Sequence, residues 1–195
     1  QNGHIGYRAD QPLLTFIGRL STQKGVEIMV EALRTLLPLD PDFALLILGS
    51  GQQEIEEALI DLADSPRLSG RVCLLRGFDP ILANRVYAAG DFFLIPSQYE
   101  PCGLTDFMAQ LFGNLPIVHH IGGLVKVVDG KTGFAYQGHS GAALSTTIQR
   151  ALDIYRTAPQ TLRAMQREAL NLIHQRYTWD KVMGRYLDLY RQAHA

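Results

Sequence analysis

Phe43-Ala44-Leu45-Leu46-Ile47-Leu48-Gly49-Ser50-Gly51 is a continuously apolar run that stops at a glycine-rich turn, and the carboxylate-rich stretch Gln52 to Ala63 behind it has helical spacing. A strand with no polar face has to be covered on both sides. Strand, turn and helix in succession supply that cover when the strands pair in parallel. The same unit recurs outward from this stretch. Leu13 to Ile17 leads through a polar loop, Gly18 to Gly25, into a helical pattern from Val26 to Leu37. Val72 to Leu75 is a third strand before Gly77, with a helix near Ile81 to Ala89, and Asp91 to Ile95 is a fourth that ends at Pro96-Ser97. Leu104 to Phe112 has helical spacing, Leu115 to Val118 is a fifth strand and Gly133 to Tyr136 a sixth.

After Tyr136 the pattern is helical only, over about Ala142 to Tyr155, Gln160 to Gln175 and Trp179 to Ala193, with Pro159 separating the first two. The expected fold class is therefore α/β: a doubly wound, Rossmann-like parallel sheet of about six strands with a helical C-terminal tail. Residues 1–195 read as a single domain with no repeat or linker. In such sheets ligands bind beyond the carboxyl ends of the strands. The glycine-rich and polar segments Gly18 to Gly25, Gly49 to Gly51, Pro96 to Gly103 and Ile121 to Gly123 all fall there.

Composition narrows the classes of function. With 47% hydrophobic and 19% charged residues over 195 positions the chain can bury a full core, and a net charge of −1 without a basic stripe argues against nucleic-acid binding. The two cysteines, Cys73 in an apolar run and Cys102, do not make a disulfide scaffold, so a reducing cytoplasm is the expected location. His4, His119, His120, His139, His174 and His194 form no metal-ligand spacing, and neither a metal nor a cofactor is expected. Apolar runs such as Phe43 to Leu48 are too short to cross a bilayer, so no membrane partner is expected. The start at Gln1-Asn2-Gly3, without Met, suggests a piece of a longer protein.

Two segments carry the chemistry. Arg19 and Lys24 flank a loop that opens a helix at Gly25, where a diphosphate would meet two cations and the free amides of a helix N-terminus. Basic residues at loops are more often plain surface charges, and this loop has neither a P-loop nor a dinucleotide glycine pattern. Pro96-Ser97-Gln98-Tyr99-Glu100-Pro101-Cys102-Gly103-Leu104 is the stronger signal: a carboxylate at a strand end, followed by backbone able to approach a ligand closely. A carboxylate accepts sugar hydroxyls, while its bland alternative is a favourable acid near a helix start.

The segments Gly18-Arg19-Leu20-Ser21-Thr22-Gln23-Lys24-Gly25, Pro96 to Leu104 and Gly122-Gly123-Leu124, with Tyr177-Thr178-Trp179 before the last helix, resemble in order and spacing the C-terminal, nucleotide-sugar-binding domain of glycogen and starch synthases, which are retaining glycosyltransferases of the GT-B fold. The similarity runs from about Leu13 to the end. It implies that Arg19 and Lys24 hold the diphosphate of ADP-glucose or UDP-glucose and stabilise its departing charge, and that Glu100 holds the glucose with backbone at Cys102, Gly103 and Leu104. It also implies that Gly18 and the Gly122-Gly123 turn lie against the donor, that Phe78 stacks on the base, and that an α-glucan acceptor binds an N-terminal domain this chain lacks.

The chain departs from the pattern at Met108, where related transferases often carry a second glutamate, and at Ile121 and Lys126, where the family has a threonine and an acid. Cys102 as a nucleophile is disfavoured because no histidine adjoins it in sequence. His119 and His120 follow a strand, where a structural role is expected. The function expected is glucosyl transfer to the non-reducing end of an α-1,4-glucan, with the isolated domain inactive. The alternatives are another retaining transferase of this architecture or a module that binds a nucleotide sugar without chemistry; a phosphoacceptor receiver lacks its acidic cluster here.

Overall fold

The computed structural model describes residues 1–6, 8 and 10–194. In chain order the elements are β1 (Asn2–Ile5), β2 (Leu13–Ile17), α1 (Val26–Leu39), β3 (Ala44–Gly49), α2 (Gln53–Ala63), β4 (Arg71–Arg76), α3 (Pro80–Ala89), β5 (Phe92–Ile95), α4 (Thr105–Leu111), β6 (Leu115–His119), β7 (Phe134–Tyr136), α5 (Gly141–Thr157), α6 (Pro159–Arg176) and α7 (Trp179–Ala193). They form one sheet in the order β1-β4-β3-β2-β5-β6-β7, parallel throughout except for β1.

The six parallel strands are those read from the sequence. β1 was not: Asn2-Gly3-His4-Ile5 carries no strand pattern, and it becomes a strand because the outer edge of β4 offers it unpaired backbone groups in antiparallel register, Asn2 opposite Leu74 and Ile5 opposite Arg71. From β2 the chain winds outward one way to β3 and β4, then returns to the other side of β2 and winds through β5, β6 and β7. The reversal between β2 and β5 leaves a crevice at their carboxyl ends, because the connections on the two sides diverge there.

The continuously apolar strands serve two cores at once, since successive side chains point to opposite faces. Leu14, Phe16, Leu45, Ile47, Phe92 and Leu94 pack under α1, α2, α5 and α6, while Ile17, Leu48, Phe93, Ile95 and Val118 pack with Ala83, Val86 and Tyr87 of α3 and Ala109 of α4. Each fully buried Leu or Ile contributes roughly 2 kcal/mol of transfer free energy. Helix α1 buries Val26, Met29, Val30, Leu33, Leu36 and Leu37 at helical spacing, and Pro38 falls in its last turn, where the helix is about to end. Helix α3 starts with Asp79 accepting from Leu82 N–H and Pro80 next to it, and α5 starts with Ser140 accepting from Ala143 N–H.

Of the helical tail, α5 and α6 pack on the domain and α7 does not. Helix α7 buries no residue, and Trp179, Met183, Tyr186, Leu187 and Tyr190 are exposed along it. Among the described residues no helix is long and apolar enough to cross a membrane.

Candidate active site

Both walls of the β2/β5 crevice come from the two segments with chemical character. The β2 wall runs from Gly18 through a single 3-10 turn, Thr22–Lys24, to Gly25, whose left-handed φ of 67° turns the chain into α1. Gly25 is required sterically as well: a Cβ there would collide with the Pro96 carbonyl of the opposite wall. The walls are also tied by a 2.9 Å hydrogen bond from Gln98 N–H to the Gln23 carbonyl.

The central contact is between Lys24 and Glu100, with Nζ 2.6 Å from Oε2 across the crevice. Glu100 is nearly buried, and Ser97 Oγ donates to the same carboxylate oxygen at 3.2 Å. Its backbone is held as well, because the Glu100 carbonyl accepts from Gly123 N–H at 2.7 Å. Arg19 is exposed and, among the described residues, reaches only Gln23 Oε1, at 3.3 Å, so its guanidinium is little constrained.

Two histidines fix the strand end from which Glu100 projects. His119 Nδ1 lies 2.9 Å from the Ser97 carbonyl and His139 Nε2 2.9 Å from the Pro96 carbonyl, with the two rings 5.0 Å apart. His119 is buried, so its role is structural as expected; His139 had no sequence signal, being one histidine in a turn after β7.

Behind Glu100, Cys102 and Gly103 form a tight turn in which Gly103 has φ 65°. Gly122, with φ 54°, packs on the Glu100 carbonyl and Gly123 on the Cys102 carbonyl so closely that neither position has room for a Cβ. The Gly123 N–H is already donated to Glu100, so Gly123 holds the carboxylate's backbone, and of this pair only the Gly122 N–H lacks a protein acceptor among the described residues. Helix α4 begins at Thr105 and spans 7 residues, so its dipole is a weak anion site and the cations carry more of the field.

Lys126 and Asp106 were not assigned a role in the site. Lys126 Nζ donates to the Cys102, Gly103 and Gly123 carbonyls at 2.6, 2.5 and 2.8 Å, lies 3.2 Å from Asp106 Oδ2 and sits 4.4 Å from the centre of the Phe107 ring. Asp106 is fully buried; desolvation pushes its carboxyl up to about 6 against the pull of Lys126. Only the departure from the family pattern at position 126 marked it.

Gly18 sits at the end of β2, its N–H bonded to the Leu48 carbonyl. Phe78 follows β4 with 74% of its surface exposed, so it is not a core aromatic. Cys102, Leu104 and Met108 are exposed on the β5 side of the crevice. Among the described residues no group of three or more His, Cys, Asp or Glu could hold a metal ion.

The family model for glycosyl transferases group 1 matches residues 4–171, across all six parallel strands and both walls of the crevice. The chain belongs to that family. This glycosyltransferase chain is 39% identical over 192 residues to a glycogen synthase of Streptococcus pneumoniae (strain Hungary19A-6), covering 94% of the chain and 38% of that relative. It thus spans well under half the length of that relative. Its fold is that of the C-terminal GT-B domain: it superposes on the catalytic domain of starch synthase IV from Arabidopsis thaliana, bound to ADP and acarbose, with TM-score 0.82 and 27% identity over 97% of this chain and 40% of that one. A sucrose-phosphate synthase from Thermosynechococcus elongatus matches with TM-score 0.76 and 26% identity over 96% of this chain and 46% of its own.

Proposed function

We propose that this chain is the donor-binding part of a glycogen or starch synthase, holding ADP-glucose or UDP-glucose in the β2/β5 crevice for transfer of glucose, with retention, to the non-reducing end of an α-1,4-glucan bound by a separate acceptor domain. The observation that carries the reading is the Lys24–Glu100 pair at the switch point, a cation and a carboxylate held 2.6 Å apart where the fold places ligands.

The ammonium has three donors, so Lys24 can keep Glu100 in place and still offer N–H groups to a diphosphate oxygen. Arg19, exposed on the same loop, closes on the same diphosphate. Together they stabilise negative charge that grows on the leaving diphosphate as the glycosidic bond breaks, which is where preorganised cations lower a barrier most. Glu100, aimed by Ser97 and the histidine-held strand end, accepts hydroxyls of the glucose and favours positive character at the sugar. Phe78 offers an exposed face for the base. Support for the glucan-synthase reading is the 39% identity to glycogen synthase.

Calorimetric titration of this chain with ADP, UDP and their glucose conjugates tests the site. One nucleotide should bind weakly, and Arg19→Ala and Lys24→Ala should each lower its affinity about ten-fold, the loss of a charge-assisted hydrogen bond of about 1.5–3 kcal/mol. A folded chain that binds neither nucleotide at millimolar concentration, or two variants that bind as the parent does, would remove the donor site from the crevice.

A further inference from the structure

Three protons and four negative or partly negative neighbours meet at Lys126. Its ammonium gives its hydrogen bonds to the carbonyls of Cys102, Gly103 and Gly123, at 2.6, 2.5 and 2.8 Å. The Asp106 carboxylate, with Oδ2 3.2 Å from the ammonium, is its ion-pair partner. That is the geometry of a counter-ion: the protons go to the backbone and the carboxylate neutralises the charge. The site is interior, with side-chain exposures of 13% for Lys126 and 0% for Asp106, so an unbalanced ammonium there would be costly.

The consequence lies on the far side of the same peptide planes. A trans peptide points its N–H opposite to its C=O. Drawing the Cys102 and Gly103 carbonyls onto Lys126 therefore turns the N–H groups of Gly103 and Leu104 away from it, and neither N–H donates to an acceptor among the described residues. The turn cannot rearrange easily, because Gly103 holds a left-handed φ of 65° and the ammonium lies 2.9 Å from where a Cβ would be. The Gly123 carbonyl, third on Lys126, belongs to the residue whose N–H holds the Glu100 carbonyl. One side chain thus ties the backbone under Glu100 to the two unpaired amides beside it.

We propose that Lys126, balanced by Asp106, is a positioning residue that presents the Gly103 and Leu104 amides to the hydroxyls of the donor's sugar. This rests on the donor-site reading and deepens it: the ammonium touches no ligand and acts through the backbone it holds. The sugar, more than the nucleotide, should register its loss.

Lys126→Met keeps the length of the side chain and its packing on Phe107 while removing charge and donors. In a variant with unchanged circular dichroism, affinity for ADP-glucose or UDP-glucose should fall at least about ten-fold while affinity for ADP or UDP changes less than about three-fold, and hydrogen exchange at Gly123, whose N–H is bonded to the Glu100 carbonyl, should accelerate at least about ten-fold. Lys126→Gln, which can still donate to two carbonyls, should recover part of both losses. Equal loss for nucleotide and sugar nucleotide marks general loosening and overturns the proposal, as do unchanged affinity and exchange. If Lys126→Met does not fold, Lys126→Gln decides by the same readouts with a smaller loss, about three-fold for the sugar nucleotide. Failure of the parent chain to bind any nucleotide counts against the donor site itself, while the exchange measurement still reports on the Lys126 staple.

Discussion

The loops after β2 and β5 face each other across one crevice and are held in opposite ways. On the β2 side only Lys24 is pinned, by Glu100, while among the described residues the exposed Arg19 makes one 3.3 Å contact, to Gln23. On the β5 side the charged group is nearly buried, and the backbone around Glu100 is fixed by His119, His139, Gly123 and, from below, Lys126. The difference fits two kinds of task. In the proposed function, a cation that finds a mobile diphosphate loses little by being loose, whereas a carboxylate that meets a sugar in one orientation gains from being set in place before binding.

The harshest way to break the comparison is to force the walls apart. Gly25→Ala would put a Cβ into the Pro96 carbonyl and an L-residue at a φ of 67°. The left-handed conformation alone costs roughly 1–2 kcal/mol, and displacing backbone adds more, so we expect a loss of about 4 kcal/mol. A melting temperature lowered by the order of 10 °C would follow. A variant as stable as the parent would show that the walls are not locked at this point.

A second test sharpens the claim that the β5 wall is held from below. Burial raises the Asp106 carboxyl from 3.8 to about 6, so the folded chain takes up a proton that the unfolded chain has already released between those values. Stability from this group is thus full below about pH 4 and is lost as pH rises through about 6, by roughly 3 kcal/mol for roughly two units of pKa. Asp106→Asn should lack that slope. Denaturant unfolding of both proteins at pH 4 and pH 7 measures it, and parallel pH profiles would contradict the desolvation of the Asp106 carboxyl.

The third effect separates the walls by function. Glu100→Gln, assayed in a chain that also carries the acceptor-binding domain, should lower turnover about 100-fold. Nucleotide affinity should stay nearly intact, because Lys24 loses a partner but keeps its charge. Normal turnover with a lowered melting temperature would reduce Glu100 to a stabilising acid at a loop.

The sheet and both walls were legible in the chain because each rests on local signals. Phe43 to Leu48 and Phe92 to Ile95 are apolar along their length, and Gly18 to Gly25 and Pro96 to Leu104 put glycines, cations and a carboxylate where strands end. β1 was not legible, since Asn2–Ile5 becomes a strand only through the edge of β4. Nor was the part played by His139, whose bond to Pro96 spans 43 positions of sequence.

By itself the sequence determined the α/β class, the order of the parallel strands and helices along the chain and the placing of glycines, cations and a carboxylate at strand ends, because periodicity and turn chemistry act over a few neighbouring positions. Only the tertiary structure decided that Lys24 and Glu100 meet at 2.6 Å, that Gly123 spends its N–H on Glu100, and that Lys126 and Asp106 hold the backbone beneath. Those pairings join segments 20 to 76 positions apart. What sets them is which strand ends the folded sheet brings together and which charges it takes out of water, and neither is written in any one stretch of the chain.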